Sequence, residues 1–333
     1  MSANGFIKAD LQGPPIRSLA WVGDELIDFA GGFRKISSAT GAITHASVNY
    51  AYPFDAVTTT PDGQFAALYQ RFGTKCLLLN RGQIVREINR SFYHANAYEY
   101  PIAFLDNGTD PLRIIHCPDE YNVLQIEDFE TGEIVTWKDD KPTDFFHSRL
   151  AVSPDNRWLL SAGWIWHPLD SIELFDLSQT AYERYSPSWT GNMRDVGLWE
   201  FNNATFLPDS TLLLSGTGDE EQEDASDNIS IVVFDLATMT VKSKTSIQTP
   251  TGPLFPVSDS HALAFYDHPR LLDVNTGAVV QSWPMIVTDK RNSSISYHDL
   301  KAHIAVDTPN RRFAVANDEA IYIVSIDGTP PDA

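Results

Sequence analysis

Apolar residues in this chain come in short runs separated by turns of Pro, Asp, Asn, Gly and Ser, and the same order of runs and turns returns along its length. A first apolar run ends in a tight turn, a second run follows at once, a third ends in a polar turn, and a fourth is half polar. The first turns are Val22-Gly23-Asp24, Pro61-Asp62-Gly63, Leu105-Asp106-Asn107, Pro154-Asp155-Asn156, Pro208-Asp209-Ser210, Ser258-Asp259-Ser260 and Pro309-Asn310. With the Asp, or Asn310, as marker, the seven turns are separated by 38, 44, 49, 54, 50 and 51 residues. Proline presets φ at the first corner, and Asp, Asn or Gly accept the second and cap backbone amides.

The runs after these turns, FAALY at 65–69, WLLSAG at 158–163, LLLSG at 212–216, ALAFY at 262–266 and FAVAN at 313–317, are apolar on both alternate faces. Strands buried on both sides read this way. Third runs such as SIELFDLSQT at 171–180, ISIVVFDLAT at 229–238, PRLLDVNTG at 269–277 and AIYIVSIDG at 320–328 end in polar turns. Fourth runs, IVREI at 84–88, IVTW at 134–137 and VVQSW at 279–283, suit an exposed edge. The last unit lacks a fourth run, whereas Gly5–Leu11 precedes the first unit and has no other place. The pattern therefore predicts an all-β, seven-bladed β-propeller in which the N-terminal strand completes the last blade. It is expected as a single domain over 1–333, with blades at 15–47, 54–90, 99–140, 148–188, 202–247, 252–285 and 301–328 plus 5–11.

The segments AVSPDNRWLLSAG and ISIVVFDLATMT resemble the blade of WD-repeat and related bacterial propeller proteins. Phe175-Asp176, Phe234-Asp235 and Leu272-Asp273 stand where that family carries Trp-Asp, which points to a divergent bacterial branch. The resemblance implies the fold and carries little functional content.

Charge narrows the choice of partner. Asp and Glu total 44 against 24 Lys and Arg, a net charge of −20, which opposes nucleic acid and anionic membranes and favours a basic protein. No apolar stretch is long enough to span a membrane as a helix, and the N-terminal MSANGFIKADLQGPP lacks a secretory pattern, so a cytoplasmic location is expected. Cys76 and Cys117 lie in apolar runs, as inert thiols would. No GxSxG, HExxH, GxGxxG, P-loop or EF-hand spacing occurs, and no cofactor is expected.

Two regions are candidates for function. Counting back seven residues from each turn marker places Arg17, Asp55, Glu99, Ser148, Asn202, Gly252 and His303 at the channel. Asp55, Glu99 and Asn202 are hard oxygen donors, and with His303 or His147 as base they would suit a small-ligand or Ca²⁺-dependent hydrolase or lactonase. The loops that lead into first strands are aromatic and share a rim with Trp164, Trp166 and His167; Trp189 and Trp199 sit among small polar residues, as exposed anchors do. The insertion at 219–228 adds Asp219, Glu220, Glu221, Glu223 and Asp224, which cannot pack as core. The stretch 284–299 is expected as a mobile rim loop. The leading expectation is a non-catalytic propeller whose acidic, aromatic rim captures a basic protein, as toxin-neutralising immunity proteins do.

Overall fold

A computed structural model describes residues 5–11, 13–106, 108, 111–138, 142–166, 169–178, 184–185, 196–218, 228–295 and 300–327. These residues form seven antiparallel sheets arranged as a seven-bladed β-propeller, and none of them lies in an α-helix. Blade 1 contains Ala20–Val22, Glu25–Asp28 and Arg34–Ile36, with a single bridge from Ile36 to Ile43 beyond them. Blades 2 and 3 run Ala56–Thr59, Phe65–Tyr69, Lys75–Asn80, Gln83–Asn89 and Ile102–Leu105, Arg113–His116, Gln125–Asp128, Ile134–Lys138. In blade 4 both Phe145–Phe146 and Leu150–Val152 pair with the long strand Trp158–Ile165, followed by Leu169–Asp176 and Arg184–Tyr185. Blade 5 is Glu200–Phe206, Leu212–Thr217, Ile229–Asp235 and Thr240–Ile247, and blade 6 is Leu254–Ser258, His261–Ala264, Arg270–Asp273 and Val279–Ser282.

Blade 7 is built from both ends of the chain. Its strands His303–Asp307, Arg312–Ala316 and Ala320–Ser325 are completed by Phe6–Asp10, which pairs from Phe6 opposite Val324 to Asp10 opposite Ala320. Ile7 is buried with Ile321, Ile323, Leu26 and Ile36, so the strand also ties blade 7 to blade 1. An open edge is thereby avoided.

Alternation along the second and third strands explains why they are apolar throughout. Leu212 and Leu214 of blade 5 face Leu160 and Leu174 of blade 4, whereas Leu213 between them faces Ala262 and Leu272 of blade 6. The same division repeats around the ring, giving one buried cluster at each interface between neighbouring blades. Several of the turns are fixed by their own Asp. The carboxylates of Asp62, Asp155 and Asp209 accept the amides of Gln64, Arg157 and Thr211. Asn156 and Ser210 take the left-handed corner at φ 57° and 65°, and at Gly63 a side chain would meet Val22 at 2.3 Å. After the third strands, Asp128, Asp235 and Asp273 each accept amides two and three residues on, which is why Asp recurs there.

Candidate functional site

The loops that lead into first strands, and those between second and third strands, meet on one face. Between blades 3 and 4 this face carries an aromatic cluster with a buried base and an exposed top. Phe146 stacks on Trp164 at 3.9 Å and on Tyr121 at 4.3 Å, with Tyr98 against its edge. Trp164 is 2% exposed and belongs to this base; it cannot itself be an anchor for a partner. Above it, Tyr93 packs on Tyr121 and His94 on Trp166. Trp166 is 39% exposed, Phe92 85%, and Trp199 on the blade 5 side of the same rim 44%. His167, Trp189 and the acidic positions Asp219, Glu220, Glu221, Glu223 and Asp224 lie outside the described residues.

The central cavity, about 370 Å³, lies between the first strands. Where those strands run through it the wall is mixed, with Val57, Leu150, Leu254, Phe255 and Ile304 beside Thr58, Asn203 and Thr205. Its other part is charged: Arg71, Arg149 and Arg291 face Glu99 and Asp289. Glu99 pairs directly with Arg291 and lies 3.8 Å from Arg71. Burial by itself would raise its carboxyl, but Arg291, Arg71 and Arg149 hold it down at about 2. Both carboxylate oxygens of Asp289 accept backbone amides, from Lys301 and Ala302.

The expected ring is only partly assembled. Asp55 accepts the amide of Arg71 at 2.6 Å, and burial, opposed by that bond, raises its carboxyl. His303 stands nearby; burial, then the charges of Arg71 and Arg17, push it down to about 4, so the imidazole is neutral at pH 7. Asn202 does not join them. Its amide donates to Asp170 at 3.3 Å in the buried layer, and the side chain that lines the cavity is that of Asn203. The shift of one residue flips the side chain to the other face, as a slip in strand register must. Ser148 is likewise buried, and Arg149 after it reaches the cavity.

His147 is separate from the ring. Its Nδ1 lies 3.0 Å from Ser161 Oγ and its Nε2 4.0 Å from Glu173, whose other oxygen accepts Thr143 at 2.7 Å. Nucleophile, base and carboxylate types are thus adjacent, yet Ser161, His147 and Glu173 are all at most 2% exposed. The group ties the incoming loop of blade 4 to its inner strands and offers a substrate no access.

The stretch between blades 6 and 7 is bonded, over its described part, across the mouth of the channel and is not a free loop. Arg291 reaches Glu99 of blade 3, and Ile295 bridges to Tyr98. Ser294 donates to Asp170 and to the carbonyl of Gly163 in blade 4. Asn292 accepts the side-chain amide of Asn203 in blade 5 and the backbone amide of Gly252 in blade 6. The strap from Asp289 to Ile295 therefore joins four blades over the cavity.

Arg71 and Arg149 were not signalled by the turn spacing. Arg71 lies in a loop between second and third strands, and Arg149 adopts φ 45°, which breaks the alternation on which any sequence register depends. No protein-family model and no curated protein matches this chain. No helix among the described residues is long and apolar enough to cross a membrane.

Proposed function

We propose that this protein is a binding propeller whose strap-side rim captures a basic protein partner. The observation that carries the reading is the exposed aromatic pair Tyr93 and Trp166, packed on the stacked base of Phe146 and Trp164, with the exposed Phe92 next to Tyr93 in the chain. Large side chains fixed in advance lose little freedom on binding, and Trp and Tyr are the residue types that dominate interface energetics. Trp199 extends the apolar surface along the rim. The net charge of −20 and the carboxylates of 219–224 would speed the approach of a basic partner. An immunity-type role, covering the active site of a basic toxin in the cytoplasm, accords with that charge.

The test is binding kinetics with a partner recovered from native lysate. Trp166→Ala and Phe92→Ala together, or Trp199→Ala, should raise the off-rate by roughly 30-fold, equivalent to about 2 kcal/mol. Replacing Asp219, Glu220, Glu221, Glu223 and Asp224 by Ser or Gln should instead lower the on-rate and flatten its salt dependence. Rates untouched by both sets of changes, in folded proteins, would place the partner elsewhere.

A further inference from the structure

The aromatic group between blades 3 and 4 has a buried layer beneath the rim, and that layer already holds a cation. The guanidinium of Arg90 lies 4.5 Å from the ring centre of Tyr98 and 5.1 Å from that of Tyr100. Its nitrogens donate to the carbonyls of Gly73, Ala95, Tyr98 and Glu99 at 2.7 to 3.1 Å, so the loop that bears Phe92, Tyr93 and His94 is wound round it. Tyr98 packs edge-on against Phe146, the ring on which Tyr93, Tyr121 and Trp166 also rest.

The upper layer has rings and no cation. Among the described residues no Lys or Arg lies over the ring of Tyr93, Tyr121 or Trp166. A carboxylate is fixed there instead. Tyr121 stacks on Phe146, packs on Tyr93 at 5.0 Å, and donates its hydroxyl to Asp144 Oδ1 at 2.6 Å. Burial, then the bond to Asp144, push that hydroxyl above its ordinary range, so it remains a donor. Asp144 is thereby held at the edge of the aromatic surface.

Nothing nearby neutralises it. Asp119 and Glu120 precede Tyr121 in the same turn; both are exposed, as is Asp144, and none of the three forms an ion pair among the described residues. The segments that build this part of the rim, 91–99, 117–124, 142–148 and 164–166, contain no Lys or Arg. The strap's two cations are paired elsewhere, Lys290 with Asp267 and Arg291 with Glu99.

An exposed ring beside an unpaired carboxylate attracts a cation by two routes, through the ring quadrupole and by direct charge. A guanidinium meets both at once, since its plane stacks on a ring while its N–H groups point edgewise at the carboxylate. An ammonium is a compact, strongly hydrated point charge and gains less from the ring.

We infer that the rim between blades 3 and 4 receives an arginine side chain of the basic partner, its guanidinium against Tyr93 and its N–H groups on Asp144. The inference rests on the rim reading above and names the side chain that the rim selects. Asp144, set in place by Tyr121, is then the residue that determines specificity, and charge complementarity begins at the aromatic surface itself.

Fluorescence anisotropy of labelled Gly-Ser-Xaa repeat peptides, with Xaa as Arg, Lys or the uncharged citrulline, tests this on the intact protein at about 0.15 M salt. The Arg peptide should bind about threefold or more tighter than the Lys peptide of equal charge, and the citrulline peptide should not bind. Asp144→Asn and Tyr93→Ala should each bring the Arg-to-Lys ratio to about one. Asp259→Asn removes the same charge from the opposite face and should leave the ratio unchanged. If Tyr93→Ala fails to fold, Asp144→Asn decides the matter, because Asn still accepts the Tyr121 hydroxyl. Equal binding of the Arg and Lys peptides, an arginine preference that survives Asp144→Asn, or no binding of the Arg peptide at millimolar concentration would each overturn the inference. Partner kinetics keep the two readings apart. An off-rate that responds to Trp166→Ala, without any arginine preference in the peptides, leaves the rim as the docking face and overturns the arginine alone. A preference lost in Asp144→Asn, with partner kinetics unmoved by Trp166→Ala, Phe92→Ala and Trp199→Ala, supports the arginine site and overturns capture of that partner by the rim.

Discussion

Closure of the ring through Phe6–Asp10 makes neighbouring residues of one strand unequal in a way that can be weighed. Ile7 is buried between blades 7 and 1, among Ile16, Leu26, Ile321 and Ile323, whereas Lys8 beside it is exposed. Ile7→Ala removes three carbons, worth about 0.8 kcal/mol each on burial, and the residual cavity brings the loss to about 3 kcal/mol. Unfolding entropy of about 2.1 cal/mol/K per residue gives roughly 0.7 kcal/mol/K for 333 residues. The melting temperature should therefore fall by about 4 °C. Lys8→Ala should change stability by less than about 0.5 kcal/mol, which is under about 1 °C. Differential scanning calorimetry of the two variants beside the parent protein makes the comparison, and removal of residues 1–12 should exceed both and expose a sheet edge to aggregation. If Ile7→Ala melts within about 1 °C of Lys8→Ala, the strand does not close the ring as described.

Other consequences follow from the buried charges. Asp28 accepts Arg34 at 2.5 and 3.1 Å, Ser18 at 3.0 Å and Gly31 at 2.8 Å, so Asp28→Ala leaves a buried guanidinium unpaired. It should lower the melting temperature by about 4–7 °C, corresponding to about 3–5 kcal/mol, and a calorimetric change under about 1 °C would refute the role given to the pair. His303 has a folded pKa of about 4 against an ordinary value of 6.5, so between those pH values the unfolded chain takes up a proton that the folded protein refuses. Stability should fall as pH drops through that window, by at most about 1.4 kcal/mol per pH unit, and His303→Gln should flatten the slope; equal slopes in denaturant titrations would contradict it. Glu99, held at about 2, stabilises the fold above its ordinary value of 4.5 and loses that contribution as pH falls toward 2. Arg291→Met removes its closest partner and should move this acid limb upward, measured by circular dichroism against pH; an unmoved limb would show that Arg71 and Arg149 suffice.

The architecture was legible because it repeats. Seven Asp- or Asn-centred turns mark seven blades, and the apolar segments FAALY and WLLSAG correspond to observed strands Phe65–Tyr69 and Trp158–Ile165. The N-terminal strand was legible by elimination, since the last blade lacked one. The site was legible only in outline, because its chemistry depends on which way individual side chains turn. Trp164 looked like a rim residue but continues the strand Trp158–Ile165 and faces inward onto Phe146. Asn202 and Asn203 are adjacent and alike in type, and only their alternation decides which one meets the cavity. In sequence the stretch 284–299 reads as a mobile rim loop because the ties of its strap, Arg291 to Glu99 and Ile295 to Tyr98, join residues 192 and 197 positions apart. No local pattern announces contacts at such a distance.

The strap-side rim as the docking face is tested most directly by hydrogen-exchange footprinting of the protein with its captured partner against the protein alone. Protection should appear at the loops carrying Phe92, Tyr93, Trp166 and Trp199. The opposite face, where Asp62, Asp155, Asp209 and Asp259 form the turns between first and second strands, should exchange at the same rate in both states. Protection confined to those opposite turns, with the aromatic loops unchanged, would contradict the assignment.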